Sequence, residues 1–511
     1  METDIIQNRL NLGLDEYLTA VSDQPKPLVI PLCAEVPLPR CSPLDVFLKT
    51  RKGNGFLLES MEGSEKIARY SYVGIDPACM ITLCRDVTTV TGSDAFVAIA
   101  REPEGKNPVD RIRSILSRFN YVNLRAPRFF GGMVGYFAYD IVNSLFSQVK
   151  NNRKKAAGES PDARFMLAKD CIVFDHRDRR LFIFSSPFLT YDTDPSAEYR
   201  RCAAHIEALR KQIAMIAEKP PVSPISQMVS PQKPLEISDN TDREEFTHAV
   251  ETIKEHIVAG DIFQAVLSRR MECAVASDPF PIYSALRTIN PSPYMYYLDF
   301  GDEQVIGASP EMLVRVEKRR VTTVPIAGTR PRGQNKNEDK RFAQELLLDK
   351  KERAEHTMLV DLARNDVGKV CKFGSVDVTG FMGIEKFSHV QHMVSTVQGT
   401  LMDHLDCYDA LKSCFPAGTV SGAPKIRAMQ IISETEPDTR GLYAGAVGYI
   451  GFDRNLEFAI AIRTVSVKNG RASIQAGAGI VADSVPENEW IETENKAAAM
   501  MRAIEQAGVG P

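Results

Sequence analysis

Apolar residues recur along this chain at two periods, and the switch between them marks its elements. In 194–218, "DPSAEYRRCAAHIEALRKQIAMIAE", the residues Tyr199, Cys202, Ile206, Leu209 and Ile213 fall at helical spacing and predict a helix with one apolar face. In 171–186, "CIVFDHRDRRLFIFSS", two apolar runs flank a polar turn over 175–180 and predict two strands. Residues 219–240 carry five prolines and four serines with no amphipathic period, so they read as a linker or exposed loop.

Periodicity then resumes. Phe246, Ala249, Val250, Ile253 and Ile257 predict a helix that Gly260 stops, and Thr241 and Glu244 stand at capping-box spacing before it. A strand follows in "FQAVLSRRMECAV", then one long helix over roughly 340–366. "EFAIAIRTVSVKNGRASIQAGAGIV" predicts a hairpin joined by Asn469-Gly470, and a last helix runs through "ENEWIETENKAAAMMRAIEQA". Strands outnumber crossover-length helices. The pattern therefore favours α+β architecture with mixed or antiparallel sheets over a Rossmann domain.

Composition narrows the class. A chain of 511 residues exceeds one ordinary core, so two lobes or one composite domain are expected. The divisions are an N-terminal lobe at 1–218, the linker at 219–240 and a second, catalytic domain at 241–511. A net charge of −4 gives no electrostatic case for nucleic acid, and "EKRR" at 317–320 reads as a solvated strand end. No apolar run is long enough to span a membrane, and "METDIIQNRL" is not a secretory signal. Ten scattered cysteines without a CxxC pair fit reduced thiols of a cytoplasmic protein.

Several polar residues ask for a partner. Glu355 lies mid-helix, and Glu492 stands four residues before Lys496. Each is a solvated helix residue on its own, or the two meet as hard oxygen ligands for Mg²⁺. His389 and His392 lack the further ligands a zinc site needs, so one acting as proton acceptor or donor is more economical. "FPAGTVSGAPKIRAMQII" places glycines before a helix, where amides suit an anion, yet it is not a nucleotide P-loop. "AGAGIV" likewise lacks the dinucleotide pattern. Arg463, inside the apolar "AIAIRTV", needs a counter-charge that a bound carboxylate would supply. Together these suit a small polyanionic organic acid held with Mg²⁺.

The ordered stretches "AGDIFQAVLS", "GASPEML", "PIAGTRPRG", "LVDLARND", "HVQHMVSTVQG", "FPAGTVSGAPK", "GLYAGAVGYIGF" and "ETENKAAAM" resemble the chorismate-utilising enzymes, and among them the anthranilate synthase component I family. "LLES", "RYSYVG" and "GGMVGYFAYD" extend the resemblance to the N-terminal lobe. It implies a sandwich of two large, mostly antiparallel sheets with helices outside. It also implies Glu355 and Glu492 as Mg²⁺ ligands on the ring carboxylate of chorismate, with Lys496 beside them. Gly328, Thr329 and Thr419 would line the ring pocket; Tyr443, Arg463 and the backbone around Gly477 and Gly479 would hold the enolpyruvyl carboxylate.

Two letters bear on the nucleophile. Gln264 stands where isochorismate and salicylate synthases carry a lysine base, and neutral Gln cannot activate water. Ala327 stands where aminodeoxychorismate synthase commonly carries a nucleophilic lysine. Both favour free ammonia and anthranilate as product. The resemblance then makes Glu311 the general acid for the departing C4 hydroxyl and His392 the candidate base for the C2 proton. Nothing in the chain resembles the family's glutaminase, so a glutamine amidotransferase subunit in a hetero-oligomer is expected. A tryptophan feedback pocket is implied at Glu59, Ser60, Pro293, Tyr294, Met295, Val447 and Tyr449, with Glu59 facing the ligand's ammonium and Lys66 as a further candidate. Aminodeoxychorismate synthase and a non-catalytic tryptophan-sensing relative are the alternatives.

Overall fold

The structure, a computed structural model, describes residues 10–61, 69–122, 127–149, 160–219, 235–275, 278–387 and 390–508. His389, Lys66 and most of the 219–240 linker lie outside them. Two large sheets carry the fold, one of 12 strands and one of 11 among the described residues, and a three-stranded sheet stands apart. Both large sheets run through both halves of the chain. In the first, Tyr294–Asp299 pairs with Gly55–Glu59, with Met295 opposite Glu59. In the second, Ala446–Gly451 pairs with Gly132–Phe137, with Val447 opposite Tyr136. Strand pairing in the large sheets is antiparallel, as at Gln264–Ala274 with Arg471–Ile480 and Val390–Thr400 with Ile326–Pro331. This is the α/β sandwich the motifs imply.

Alternation sorts each strand between two environments. In the first sheet Met295, Tyr297, Ile306, Ala472 and Ile474 face the outer helices, while Tyr296, Leu298 and Val305 face the core that the second sheet shares. The helix Pro195–Ala217 buries Cys202, Ile206, Leu209 and Ile213 as its spacing predicts. The two strands at Asp170–Asp175 and Arg180–Ser185 form a hairpin. Asn469 and Gly470, both at positive φ, turn the chain between Thr464–Lys468 and Arg471–Ile480. That dihedral pair is what a tight two-residue hairpin needs.

Three local expectations are corrected. The helix after the linker is Arg243–Val258, and its capping box is Asp242 with Glu245, one residue later than Thr241 and Glu244. Thr241 instead donates to the Glu245 carboxylate (3.1 Å). The single helix at 340–366 is two, Lys336–Leu348 and Lys350–Gly368. Asp349 divides them because its side chain accepts from the amides of Lys351 and Glu352, capping a new start. Arg463 does not lie inside a strand. Leu456–Ile460 belongs to the 11-stranded sheet and Thr464–Lys468 to the 12-stranded one, and Arg463, at φ 50°, sits in the crossover between them.

Candidate active site

Two such crossovers meet at one place. Glu303–Ser309 lies in the 12-stranded sheet and Met312–Glu317 in the 11-stranded one, so Glu311 also stands where the chain changes sheet. The crossovers are tied by backbone: Ile460 N–H donates to Glu311 C=O (3.0 Å), and Ala308 N–H donates to Arg463 C=O (3.1 Å). An acid and a guanidinium are thereby held at the seam between the sheets. The Glu311 carboxyl accepts from Thr419 Oγ1 at 3.0 and 3.1 Å. Burial pushes its pKa up to about 8, against the opposing pull of Thr419 and Arg463. The shift favours the protonated carboxyl near neutral pH. Burial lowers the Arg463 pKa, and Glu311 opposes that shift.

His392 comes from the strand Val390–Thr400, opposite Thr329. Its Nδ1 lies 3.2 Å from Gly328 C=O and 3.0 Å from Thr329 Oγ1. A carbonyl only accepts, so Nδ1 carries the hydrogen and Nε2 is the acceptor in a neutral ring. Burial, with Arg463 nearby, lowers the His392 pKa and keeps the ring neutral. Gly328 interrupts the pairing between Ala327 and Thr329 as a bulge at φ 66°. A Cβ there would stand 2.7 Å from Leu346 Cδ1 and 3.0 Å from Glu352 Oε2, so a larger residue would displace both side-chain ends as well as strain the backbone at that φ.

The opposite wall comes from helices. Glu355 projects from Lys350–Gly368, and Glu492 and Lys496 from Pro486–Gln506. Burial raises the Glu355 pKa, and the negative charges of Glu352 and Glu492 add to it, while Gln264 holds it back. Glu492 pairs with Lys496 at 2.7 Å, the i,i+4 contact its spacing allows, and Lys496 Nζ also donates to Gly477 C=O (2.8 Å). Gly477 and Gly479 leave space: a Cβ would come 2.6 Å from Tyr443 Oη at the first and 2.5 Å from Gln264 Nε2 at the second. Gln264 Oε1 is buried without a donor. Burial raises the Tyr443 pKa to about 12, so the phenol keeps its proton. Contacts and charges link these residues in sets: Glu311 with Thr419 and Arg463, His392 with Gly328 and Thr329, and Glu355 with Gln264 and Glu492.

The donor set suits Mg²⁺. Among the described residues no group of three or more His, Cys, Asp or Glu is arranged to hold a metal, which excludes a protein-only cage there. Two hard carboxylates that repel one another, beside an orphaned amide oxygen, fit a divalent ion that completes its shell with water and substrate.

A second pocket lies on the other side of the crossovers. Glu59, Ser60, Tyr294, Met295, Val447 and Tyr449 line it, and Pro293 does not. Glu59 already accepts from Tyr283 Oη (2.6 Å) and Arg287 Nε (3.0 Å), which hold its carboxylate in the pocket wall. Glu457, missed in the sequence, is a second carboxylate of the pocket, held by Tyr294 Oη (3.0 Å), Tyr449 Oη (3.2 Å) and Arg128 (3.3 Å). Its strand pattern is indistinguishable from solvated alternation, so no local signal marks it. Also missed is the buried pair Lys425–Asp366 (2.6 Å), which pins the turn carrying Thr419 to the helix carrying Glu355. The "RND" and "APK" motifs held that signal, since each has a charged residue beside apolar ones.

The profile of the chorismate binding enzymes matches residues 54–502. Anthranilate synthase component 1 of Acetivibrio thermocellus is 44% identical over 482 residues, 94% of this chain and 96% of that one. Its counterpart in Aquifex aeolicus is 44% identical over 504 residues, 98% of each. Among solved structures, anthranilate synthase component I from Streptococcus pneumoniae TIGR4 superposes with a TM-score of 0.70 at 36% identity, covering 86% of this chain and 95% of that one. The menaquinone-specific isochorismate synthase of Escherichia coli shares the fold, with a TM-score of 0.66 at 19% identity over 96% of this chain and 98% of that one. Seam, pockets and sequence agree: the chain belongs to the chorismate binding enzymes.

Proposed function

We propose that the chain is the synthase subunit of an anthranilate synthase, converting chorismate and ammonia to anthranilate and pyruvate. The observation that carries this is Glu311, a buried carboxyl with a raised pKa that sits beside Arg463 and is hydrogen-bonded by Thr419, in a chain with no lysine at 264 or 327. Such a set can deliver a proton and remove one, and it lacks the lysines that the resemblance links to water activation and to a covalent amine.

Ammonia bonds to ring C2 as the C4–O bond breaks and the ring double bonds shift; Glu311 gives its proton to the departing oxygen, which leaves as water, and the new C2 ammonium loses one proton to solvent to become the amine. His392 Nε2 then takes the C2 proton as the C3–O bond breaks, the ring becomes aromatic, and the released enolpyruvate takes up a proton to become pyruvate. Thr419 orients the Glu311 carboxyl, and Thr329 with Gly328 orients His392. Arg463 and Tyr443 bind the enolpyruvyl carboxylate. Glu355 and Glu492 would hold Mg²⁺, which neutralises and orients the ring carboxylate when bound. Lys496 steadies Glu492 and the Gly477 backbone.

The pocket lined by Met295, Val447, Tyr449 and Glu457 is read as the tryptophan feedback site. A glutamine amidotransferase subunit supplies ammonia in a hetero-oligomer. Among the described residues no helix is long and apolar enough to cross a membrane, and the cytoplasm is the compartment this chemistry calls for. The test is fluorescence of the product formed by the purified chain with chorismate, Mg²⁺ and ammonium. Anthranilate without an added lyase is expected; aminodeoxychorismate, or tryptophan binding without turnover, would point to the alternatives.

A further inference from the structure

The strand Gln264–Ala274 sends alternate residues toward the outer helices, and that row reads Ala265, Leu267, Arg269, Met271 and Cys273. Four of them are buried apolar residues; the middle one is a guanidinium only 2% exposed. Its Cζ lies 3.7 Å from the ring centroid of Trp490, and its Nε donates to Thr493 Oγ1 (2.8 Å). Both partners belong to the helix Pro486–Gln506, on the turn that also carries Glu492. The same guanidinium pairs with Asp239 (2.5 Å), and Glu494 stands 3.8 Å from it. Bonds within the helix close the clasp: Thr493 Oγ1 donates to Trp490 C=O (2.7 Å), and Trp490 Nε1 donates to Glu494 Oε1 (2.9 Å).

Burying this charge does not by itself stabilise the fold, because well-packed apolar residues often replace a buried ion pair without loss. A methionine would continue the row. What the guanidinium adds is direction: a planar fork that stacks and donates at once fixes its partner's orientation as well as its distance. Glu492 depends on orientation. Its side chain is half exposed, and it lies off the buried face formed by Trp490, Thr493 and Ala497, so packing does not hold it directly. Turning the helix by about 20° would carry a side-chain end at a radius of roughly 5–6 Å through about 2 Å. Metal–ligand distances hold to about 0.2 Å, so a rotation of that size is enough to dismantle a site. On its own flank the helix is held by one flexible side chain, Lys496 Nζ on Gly477 C=O (2.8 Å). The rigid hold is the one at Arg269.

We infer that Arg269 is a positioning residue for the metal site: its stack on Trp490 and its bond to Thr493 fix the rotation of the last helix, and with it the direction in which Glu492 points. The inference rests on the proposed function, which makes Glu492 a metal ligand. The test uses the full chain with saturating chorismate and no ammonium, and reads free Mn²⁺ by its EPR signal to give the Kd of the site. Thr493→Val removes the hydroxyl and keeps the shape, and should raise the Mn²⁺ Kd at least threefold. Thr493→Ser restores the hydroxyl and should bring the Kd back to the parent's. With ammonium added, the Mg²⁺ needed for half-maximal rate should rise in step in Thr493→Val, while kcat at saturating Mg²⁺ and chorismate stays within twofold of the parent.

Arg269→Met/Thr493→Val makes both sides of the clasp apolar and separates positioning from packing. Asp239 is a third exposed and Glu494 half exposed, so water solvates both once the guanidinium is gone. The Tm of this double variant should lie near the parent's, while its Mn²⁺ Kd stays at least fivefold raised. If it fails to fold, the valine and serine variants at 493 decide by themselves. A parental Mn²⁺ Kd in folded Thr493→Val or in the folded double variant overturns the positioning role. Glu492→Gln is the control: if it binds Mn²⁺ as the parent does, the proposed metal site is what fails, and the role of Arg269 fails with it.

Discussion

Replacing Glu311 by glutamine keeps the shape of the side chain and removes its proton. Loss of a positioned general acid costs roughly 10²–10⁴-fold in kcat, so Glu311→Gln is expected to fall by that factor with the chorismate KM little changed. The pH dependence sharpens the test. Burial carries the carboxyl from 4.5 to about 8. The parent's kcat, measured at constant free ammonia, should hold below pH 8 and fall above it as the acid ionises. The same shift is linked to stability. A carboxyl whose folded pKa is raised contributes stability that is fully present below the unfolded pKa and lost as pH rises through the folded one. The span corresponds to on the order of 5 kcal/mol, lost progressively between about pH 4.5 and pH 8. Glutamine has no proton to lose, so the variant's urea midpoint should gain on the parent's from pH 5 to pH 8.5. Anthranilate fluorescence across pH 6–9 reads the first effect. Full turnover in Glu311→Gln, or a fall above pH 8 that persists in it, would refute the general-acid role; a constant difference in midpoint would refute burial as the cause of the shift.

The other predictions bear on the walls of the site. Gly328→Ala places a Cβ at φ 66° against Leu346 and Glu352 and should cost about 1–2 kcal/mol or more, read as a lower Tm with a raised chorismate KM. Glu355→Gln should require at least tenfold more Mg²⁺ for half-maximal rate, and an unchanged activation curve would remove Glu355 from the metal site. Asp366→Asn strands the buried Lys425 ammonium and should destabilise by roughly 3–5 kcal/mol, with partial recovery in Asp366→Asn/Lys425→Met; equal stability of the single variant and parent would show the pair to be solvated. Tryptophan at a hundred times its Kd should add about 2.7 kcal/mol to unfolding, seen as a rise in Tm that Ser60→Phe abolishes. A rise retained in Ser60→Phe would move the ligand elsewhere.

How far the sequence reached depends on the range of the interaction. The helix over Pro195–Ala217, the hairpin turn at Asn469-Gly470 and the apolar runs of Asp170–Asp175 and Arg180–Ser185 rest on local spacing and dihedral preference, so they were legible. The break at Asp349 was not, because an Asp inside a helical pattern is neutral until its side chain is seen capping Lys351 and Glu352. The charge of Arg463 was noticed for the right reason, since a lone guanidinium among apolar residues needs a partner. Its placement was missed, because alternation cannot show that a strand leaves one sheet for another.

The sequence by itself determined the period of each element, the glycines that permit close approach, and, through Gln264 and Ala327, which nucleophiles the site lacks the groups to activate. It also carried an ordered set of motifs too long for coincidence. Only the tertiary structure decided that Glu311 and Arg463 occupy neighbouring crossovers, and that Glu59 already has Tyr283 and Arg287 as partners. The physical reason is the same in each case. A side chain's partner, burial and protonation depend on strands and helices scores to hundreds of residues away, and nothing in a residue's own neighbourhood along the chain encodes which of them will come to rest beside it.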